Sequence, residues 1–433
     1  TDLTGAGTVT INNAATIEQI NKVKTLDNGT TPSYSTINDT AAILGADDAA
    51  TSALMTGKTI QLNTNATATE YRQAITNAGG NTVTGAVVET SSAALATGTA
   101  ALTNATSVTL KVQSNDKDFT TSGTNALLAN VSGFDLNGVT GVLFNIADID
   151  GKTITDSSSG SSGTYFVSDS YANIVTASTT GGDPVQFTNA DKAKALYGAT
   201  EIQVTDWATG NDLSIIGNTS ANQTAQGNTA GMASIATTDI KVTLTGSGST
   251  TIDDTIGARL ATVTKLALSG NNTSVVIESD VFDNSANEWS SLTTLTGLDS
   301  GNNVTINDVA DNANNFIDLY GISSVSGIAN IAVNGGTGVD IINLSPALTT
   351  HSSIGIDMGS DNNADKIYFG IDTSDYSSSD SATLTYANVS NFNVNHDRVG
   401  LYYYGFSGGT VSAINETAST GATSGEADLS TDR

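Results

Sequence analysis

Along the second half of this 433-residue chain, short apolar runs come in pairs, each pair flanking a Gly/Asn turn. Lys265-Leu266-Ala267-Leu268 leads through Gly270-Asn271-Asn272 to Val275-Val276-Ile277. Leu292 to Leu298 leads through Gly301-Asn302-Asn303 to Val304-Thr305-Ile306, and Ile328 to Val333 through Gly335-Gly336-Thr337-Gly338 to Ile341-Ile342-Asn343-Leu344. Ile354-Gly355-Ile356 leads through Asp361-Asn362-Asn363 to Ile367-Tyr368-Phe369, and a last copy runs from Phe392 to Leu401. The turns recur roughly every 25–35 residues, a period in the range of stacked repeats. Gly and Asn suit turns that need positive φ, where other side chains are strained. The pattern predicts a parallel β-solenoid over residues 241–406, with a β-sandwich of regular hairpins as the alternative.

Residues 1–240 read as a mixed region of strands and short helices. Ile17 to Leu26 has apolar residues at helical spacing behind the candidate N-cap Thr16, and Thr69 to Ala78 reads similarly. Asp191 to Tyr197 is a third candidate, stopped by Gly198. Ile37-Asn38-Asp39-Thr40-Ala41-Ala42-Ile43 recurs as Val167-Ser168-Asp169-Ser170-Tyr171-Ala172-Asn173-Ile174. Each copy precedes a strand of alternating pattern, at residues 59–63 and 201–205. The implied unit is strand end, Asp-Ser/Thr turn, short helix, strand, which stacks on its neighbours. Residues 407–433 form a Ser/Thr/Gly-rich tail with no such pattern. The predicted fold is therefore mainly β, with C-terminal solenoid-like repeats preceded by a mixed strand and short-helix repeat region.

Charge narrows the partners. With 15 Lys+Arg against 43 Asp+Glu the net charge is −28. Nucleic acid, which needs basic patches, and anionic membrane surfaces are disfavoured. Hard cations, above all Ca²⁺, are the natural match for carboxylate and carbonyl oxygens. There is no cysteine, so disulfides and thiolate chemistry are excluded. No run approaches the roughly 18 apolar residues of a membrane span.

One motif carries specific chemistry. Gly335-Gly336-Thr337-Gly338-Val339-Asp340-Ile341-Ile342-Asn343 fits the nonapeptide G-G-x-G-x-D-x-U-x. Ser360 to Tyr368 is a degenerate second copy that keeps Asp365 and adds Asp361 but loses the glycines. Val389 to Leu401 looks like a closing segment with an aromatic strand followed by Asp397-Arg398. Over about residues 325–406 the chain thus resembles the repeats-in-toxin family of type I secreted bacterial proteins. The resemblance implies Ca²⁺ between successive turns, held by the glycine turn and the Asp, with Gly335, Gly336, Gly338, Asp340, Asn343, Asp361 and Asp365 as candidate ligands. It also implies export and a life outside the cell. One perfect copy is fewer than the several consecutive copies of a full array. Asp148-Ile149-Asp150-Gly151, with Asp156 downstream, opens like a second Ca²⁺ loop but lacks the glutamate of an EF-hand. Asp308 and Asp280 read as solvated turn residues.

Catalysis finds little support: the two histidines, His351 and His396, are far apart, and no nucleophile elbow, P-loop or dinucleotide fingerprint appears. The expectation is a secreted, non-enzymatic structural protein that self-associates with Ca²⁺ as a surface layer or filament, and that touches cell-surface polysaccharide. An adhesin binding glycans and a phage fibre or decoration protein are the alternatives.

Overall fold

The computed structural model describes residues 3, 7–90, 102–120, 128, 130–149, 151–174, 198–213, 239–245, 248–282, 289–308, 314–349, 351–371, 387–393 and 395–403. The expected helix at 191–197 and the tail lie outside them. The protein is strand-rich, its strands pair in parallel, and its contacts divide it into two units: residues 1–168 with 189–200, and residues 169–188 with 201–433. No helix among the described residues is long and apolar enough to cross a membrane.

In the first unit helices and strands alternate: α1 (Ile17–Leu26), β1 (Thr36–Asp39), α2 (Ala41–Leu44), α3 (Ala49–Met55), β2 (Thr59–Leu62), α4 (Ala68–Asn77), β3 (Val83–Thr84) and β4 (Ala86–Glu89). Then come β5 (Ser107–Lys111), β6 (Gly133–Asp135), β7 (Val142–Phe144), α5 (Ile146–Ile149), β8 (Thr153–Thr155) and β9 (Tyr165–Asp169). The two longer helices open with the same device. Thr16 and Gln19 form a capping box on α1, and Thr67 and Glu70 form one on α4, so the first backbone donors of each helix are satisfied. Strands pair in the order β1-β2-β3 and β4-β5-β6-β8, and β7 pairs with β9. Burial alternates along β1, β2 and β5, which puts Ile37, Ile60, Val108 and Leu110 inside. Phe119, Phe134 and Phe144 pack with ring centroids 4.5–5.7 Å apart.

A second device ties each repeat to the next. The Ile17 N–H at the start of α1 donates to Asp39 Oδ2 (2.9 Å), at the end of the following strand. Likewise the Ala41 N–H donates to Thr64 Oγ1 (2.9 Å) and the Ala68 N–H to Glu89 Oε2 (3.2 Å). The starts of α1, α2 and α4 are thus each closed by an oxygen from the next repeat. This gives the Asp-Ser/Thr turn seen in the sequence a physical purpose.

The second unit contains α6 (Tyr171–Ile174), β10 (Glu201–Val204), β11 (Asp239–Thr245), β12 (Gly248–Ile252), α7 (Asp254–Arg259), β13 (Lys265–Ser269) and β14 (Thr273–Glu278). It continues with β15 (Thr294–Gly297), β16 (Asn303–Asn307), β17 (Phe316–Leu319), β18 (Ser324–Ser326), β19 (Asn330–Asn334) and β20 (Ile341–Leu344). Last are α8 (Pro346–Thr349), β21 (Ile354–Asp357), β22 (Lys366–Ile371), β23 (Ala387–Ser390) and β24 (Arg398–Tyr403). The strands on either side of a Gly/Asn turn do not pair with each other, so the hairpins of the sandwich alternative are not formed there. They enter different sheets, each growing in chain order: β10-β11-β13-β15-β18, β12-β14-β16-β19-β21-β23 and β17-β20-β22-β24. Each strand lies beside its counterpart one repeat later, and such counterparts are called rungs below.

Register keeps like residues in line. Val275, Val304, Ile331 and Ile354 form one buried row of the second sheet, and Ile277, Ile306, Val333 and Ile356 the next. In the third sheet the inner rows are Ile317, Ile342 and Ile367, and Leu319, Leu344 and Phe369. Each such buried side chain contributes about 1.5–3 kcal/mol, which makes these rows the principal support of the stack. Asn rows line the outer side: Asn330 Nδ2 donates to Asn303 Oδ1 (2.8 Å) and Asn334 Nδ2 to Asn307 Oδ1 (2.9 Å). The turns need the expected backbone, with Gly270, Asn272, Gly301, Gly336 and Gly359 at φ between +60° and +100°. In the first sheet, Lys265 Nζ joins Glu201 Oε2 (2.6 Å) and Asp239 Oδ2 (2.7 Å) across three strands.

Candidate functional site: a buried carboxylate ladder

The residue just before each strand of the third sheet is Asn315, Asp340, Asp365 or Asp397. Parallel register stacks these four positions. The Asn315 N–H and Nδ2 donate to Asp340 Oδ1 (3.0 and 3.1 Å), the Asp340 N–H to Asp365 Oδ1 (2.8 Å), and the Asp365 N–H to Asp397 Oδ1 (3.2 Å). At the end Asp397 Oδ2 turns back and accepts from the Asn393 N–H (2.6 Å). The three aspartates are 0%, 1% and 3% exposed.

Their stacking places negative charge on negative charge away from water. Burial pushes the Asp340 carboxyl up to about 6, against the hydrogen bonds from Asn315, and the charges of Asp365 and Asp308 add to the rise. Burial raises Asp365 too, with the charges of Asp397 and Asp361 adding to it. Asp340 Oδ2 is buried without any hydrogen-bond partner. An orphaned carboxylate oxygen in such a place is costly unless a cation or a proton meets it.

The glycine turn is built around that oxygen. A β-carbon on Gly335 would sit 3.1 Å from Asp340 Oδ2 and 3.4 Å from the Asp357 carbonyl oxygen, which accepts the Gly335 N–H (2.8 Å). A β-carbon on Gly336 would collide with the Asp308 carboxylate, and one on Gly359 with the Gly336 carbonyl oxygen. Gly338 is buried in the same turn. Two carboxylates and backbone carbonyls therefore face one glycine turn. Among the described residues no group of three His, Cys, Asp or Glu side chains is placed to hold a metal, so carbonyl oxygens would have to complete any shell. That donor set is oxygen-only, the kind hard cations such as Ca²⁺ take, with the Asp340 and Asp308 carboxylates and the Asp357 carbonyl beside the turn.

The other candidates sit apart. Asp361 accepts the Asn363 N–H and Nδ2 (2.8 and 2.9 Å) in a local turn and reaches the ladder only through its charge on Asp365. Asn343 stands three residues into β20. Asp148, in the first unit, exchanges hydrogen bonds with Asn145 across the start of α5: the Asp148 N–H donates to Asn145 Oδ1 (2.9 Å) and the Asn145 N–H to Asp148 Oδ2 (3.4 Å). Asp150 lies outside the described residues. Asp156 accepts the N–H groups of Gly163 (2.5 Å) and Gly138 (2.8 Å), and these bonds hold its carboxyl down at about 2. No motif in the sequence singles out Asn315, and Asp308 reads there as a solvated turn residue. The available signal was an Asn or Asp directly preceding an apolar-patterned strand, repeated at separations of 25, 25 and 32 residues. His351 is used structurally, its Nε2 lying 3.2 Å from the Ile328 carbonyl and its Nδ1 accepting the Ser353 N–H.

No family model matches the chain, and no curated protein or solved structure is detectably similar to it.

Proposed function

We propose that this chain is a secreted structural subunit, exported by a type I route, that assembles with copies of itself as a layer or filament at a bacterial surface in a Ca²⁺-dependent way. In this reading the second unit is a parallel β-solenoid and Ca²⁺ sits at the glycine turn. The observation that carries it is Asp340 Oδ2, buried, unpartnered and facing the Gly335–Gly336 turn. A bound cation there neutralises the ladder and stiffens the stack, and cations between acidic surfaces lower the repulsion of a chain with net charge −28. Negative-stain electron microscopy of the purified chain in millimolar Ca²⁺ and in chelator is the test. Ordered sheets or filaments that dissolve in chelator support the proposal; dispersed particles in both conditions sink it.

A further inference from the structure

The outer face of the second sheet is open along all six of its strands, from β12 to β23. Register sets its outward residues in three rows. Thr251, Val276, Thr305, Ala332, Gly355 and Asn388 form the middle row. The row of Asn303 and Asn330 runs on one side of it, and the row of Asn307 and Asn334 on the other. The outward residues of these strands are exposed or half-buried. The outer faces of the other two sheets are partly closed, with Glu201 and Ala267 buried on the first and Asn343 on the third. The side rows lie in fixed order, because Asn330 and Asn334 each bond the asparagine one rung earlier and Asn391 Nδ2 donates to Asp357 Oδ1 (2.7 Å). No side chain of the middle row is larger than valine or asparagine, so nothing rises from the face.

In a chain of net charge −28 this face carries no Lys or Arg and two acids, Glu278 and Asp357, both in the row of Asn307 and Asn334. They stand three rungs apart, about 14 Å, too far to share a cation. A polyanion finds no basic group here, a saccharide no aromatic ring to stack on, and a small molecule no concavity. A second copy of the same face answers each feature. It is flat, it repeats at the same spacing of about 4.8 Å, and its amides carry both donors and acceptors, so it is complementary to itself. A two-fold axis along the stacking direction sets middle row on middle row. It also sets the Glu278 and Asp357 row of each copy over the Asn303 and Asn330 row of the other, so no carboxylate meets a carboxylate. Six rungs by strands of about 17 Å give about 500 Å² per copy, and about 1,000 Å² in total is the lower limit of a specific interface. Such a contact is weak alone and gains strength when an assembly repeats it. We propose that the outer face of the second sheet is an interface between two copies of this chain, packed face to face with their rungs aligned. This interface rests on the self-association read above and names the face through which it runs.

The chain has no cysteine, so Thr305→Cys places a single reactive thiol in the middle row. Facing sheets lie about 10 Å apart, within reach of a short bis-maleimide. With that reagent, in Ca²⁺ and in chelator, Thr305→Cys should form covalent dimers at least tenfold faster than Ser324→Cys, an exposed position on β18 of the first sheet. Sedimentation of the full chain should show a monomer–dimer equilibrium that Ala332→Arg weakens at least tenfold. Ala332 points outward, so the variant should melt within a few degrees of the native chain. Cross-linking of Thr305→Cys no faster than that of Ser324→Cys, or self-association untouched by Ala332→Arg, overturns the interface. Rapid cross-linking of Thr305→Cys without ordered assemblies in the microscope upholds the interface and sinks the surface-layer reading. Ca²⁺-dependent sheets that form as readily from Ala332→Arg as from the native chain do the reverse.

Discussion

Asp156 in the first unit and Asp340 in the second are both turn carboxylates, and their surroundings drive them in opposite directions. Asp156 gathers backbone N–H groups from Gly163, Gly138 and Ser158, and its carboxyl falls to about 2. Asp340 has one oxygen satisfied by Asn315 and one with no partner, and it rises to about 6. The same contrast holds between the devices around them. In the first unit Asp39 and Glu89 each close a helix start of the preceding repeat. In the second unit the same reach across repeats stacks aspartate on aspartate. An acid that spans two repeats is thus a strut in one unit and a stored repulsion in the other.

Substitutions can break this comparison or sharpen it. The largest effect is expected at Gly336→Ala, where a positive φ and the Asp308 carboxylate both oppose a β-carbon. It should cost about 2–4 kcal/mol in denaturant unfolding; an unchanged midpoint would mean that the turns are not so closely stacked. Next, and opposite in sign, comes Asp340→Asn. The folded carboxyl, at about 6, lies above its ordinary value, so the folded state binds the extra proton between about pH 4 and 6. Cation-free stability therefore falls as pH rises through that window, and the full penalty is present above it. Asp340→Asn should stabilise the cation-free protein by about 1–3 kcal/mol near pH 7.5, flatten this pH slope and remove the Ca²⁺-induced rise in melting temperature. Calorimetry at about pH 5 and 7.5 reads all three, and a destabilised variant would make Asp340 a strut like Asp39. Smallest is Asp39→Ala, which strips acceptors from the Ile17 and Thr40 N–H groups. It should cost about 1 kcal/mol with or without Ca²⁺, and a Ca²⁺-dependent cost in thermal melts would erase the distinction between the units.

The turns were legible because so few residues tolerate positive φ, and Gly270, Asn272, Gly301 and Gly336 stand where the sequence places them. The helix at 17–26 was legible from its apolar spacing behind Thr16, and the one read at 69–78 runs one residue earlier, Ala68–Asn77, behind the capping box of Thr67 and Glu70. Pairing was not, since alternation with period two serves hairpins and parallel stacks alike. The ladder was read only in part. An aspartate before a strand looks like a solvated turn, and the burial of Asp365 and Asp397 arises from partners 25 and 32 residues away.

The reach across repeats also gives the molecule a direction. In the helix-start and ladder pairs, from Ile17 and Asp39 to Asp365 and Asp397, the acceptor belongs to the later repeat. A chain that emerges N-terminus first therefore leaves each new repeat with an unanswered donor until the next one arrives. Asp397, turning back onto Asn393, is the full stop. Completion of the third sheet should then travel from its first repeat toward its last, and a ribosome still holding the Asp397 segment would leave only the Asp365 donor open.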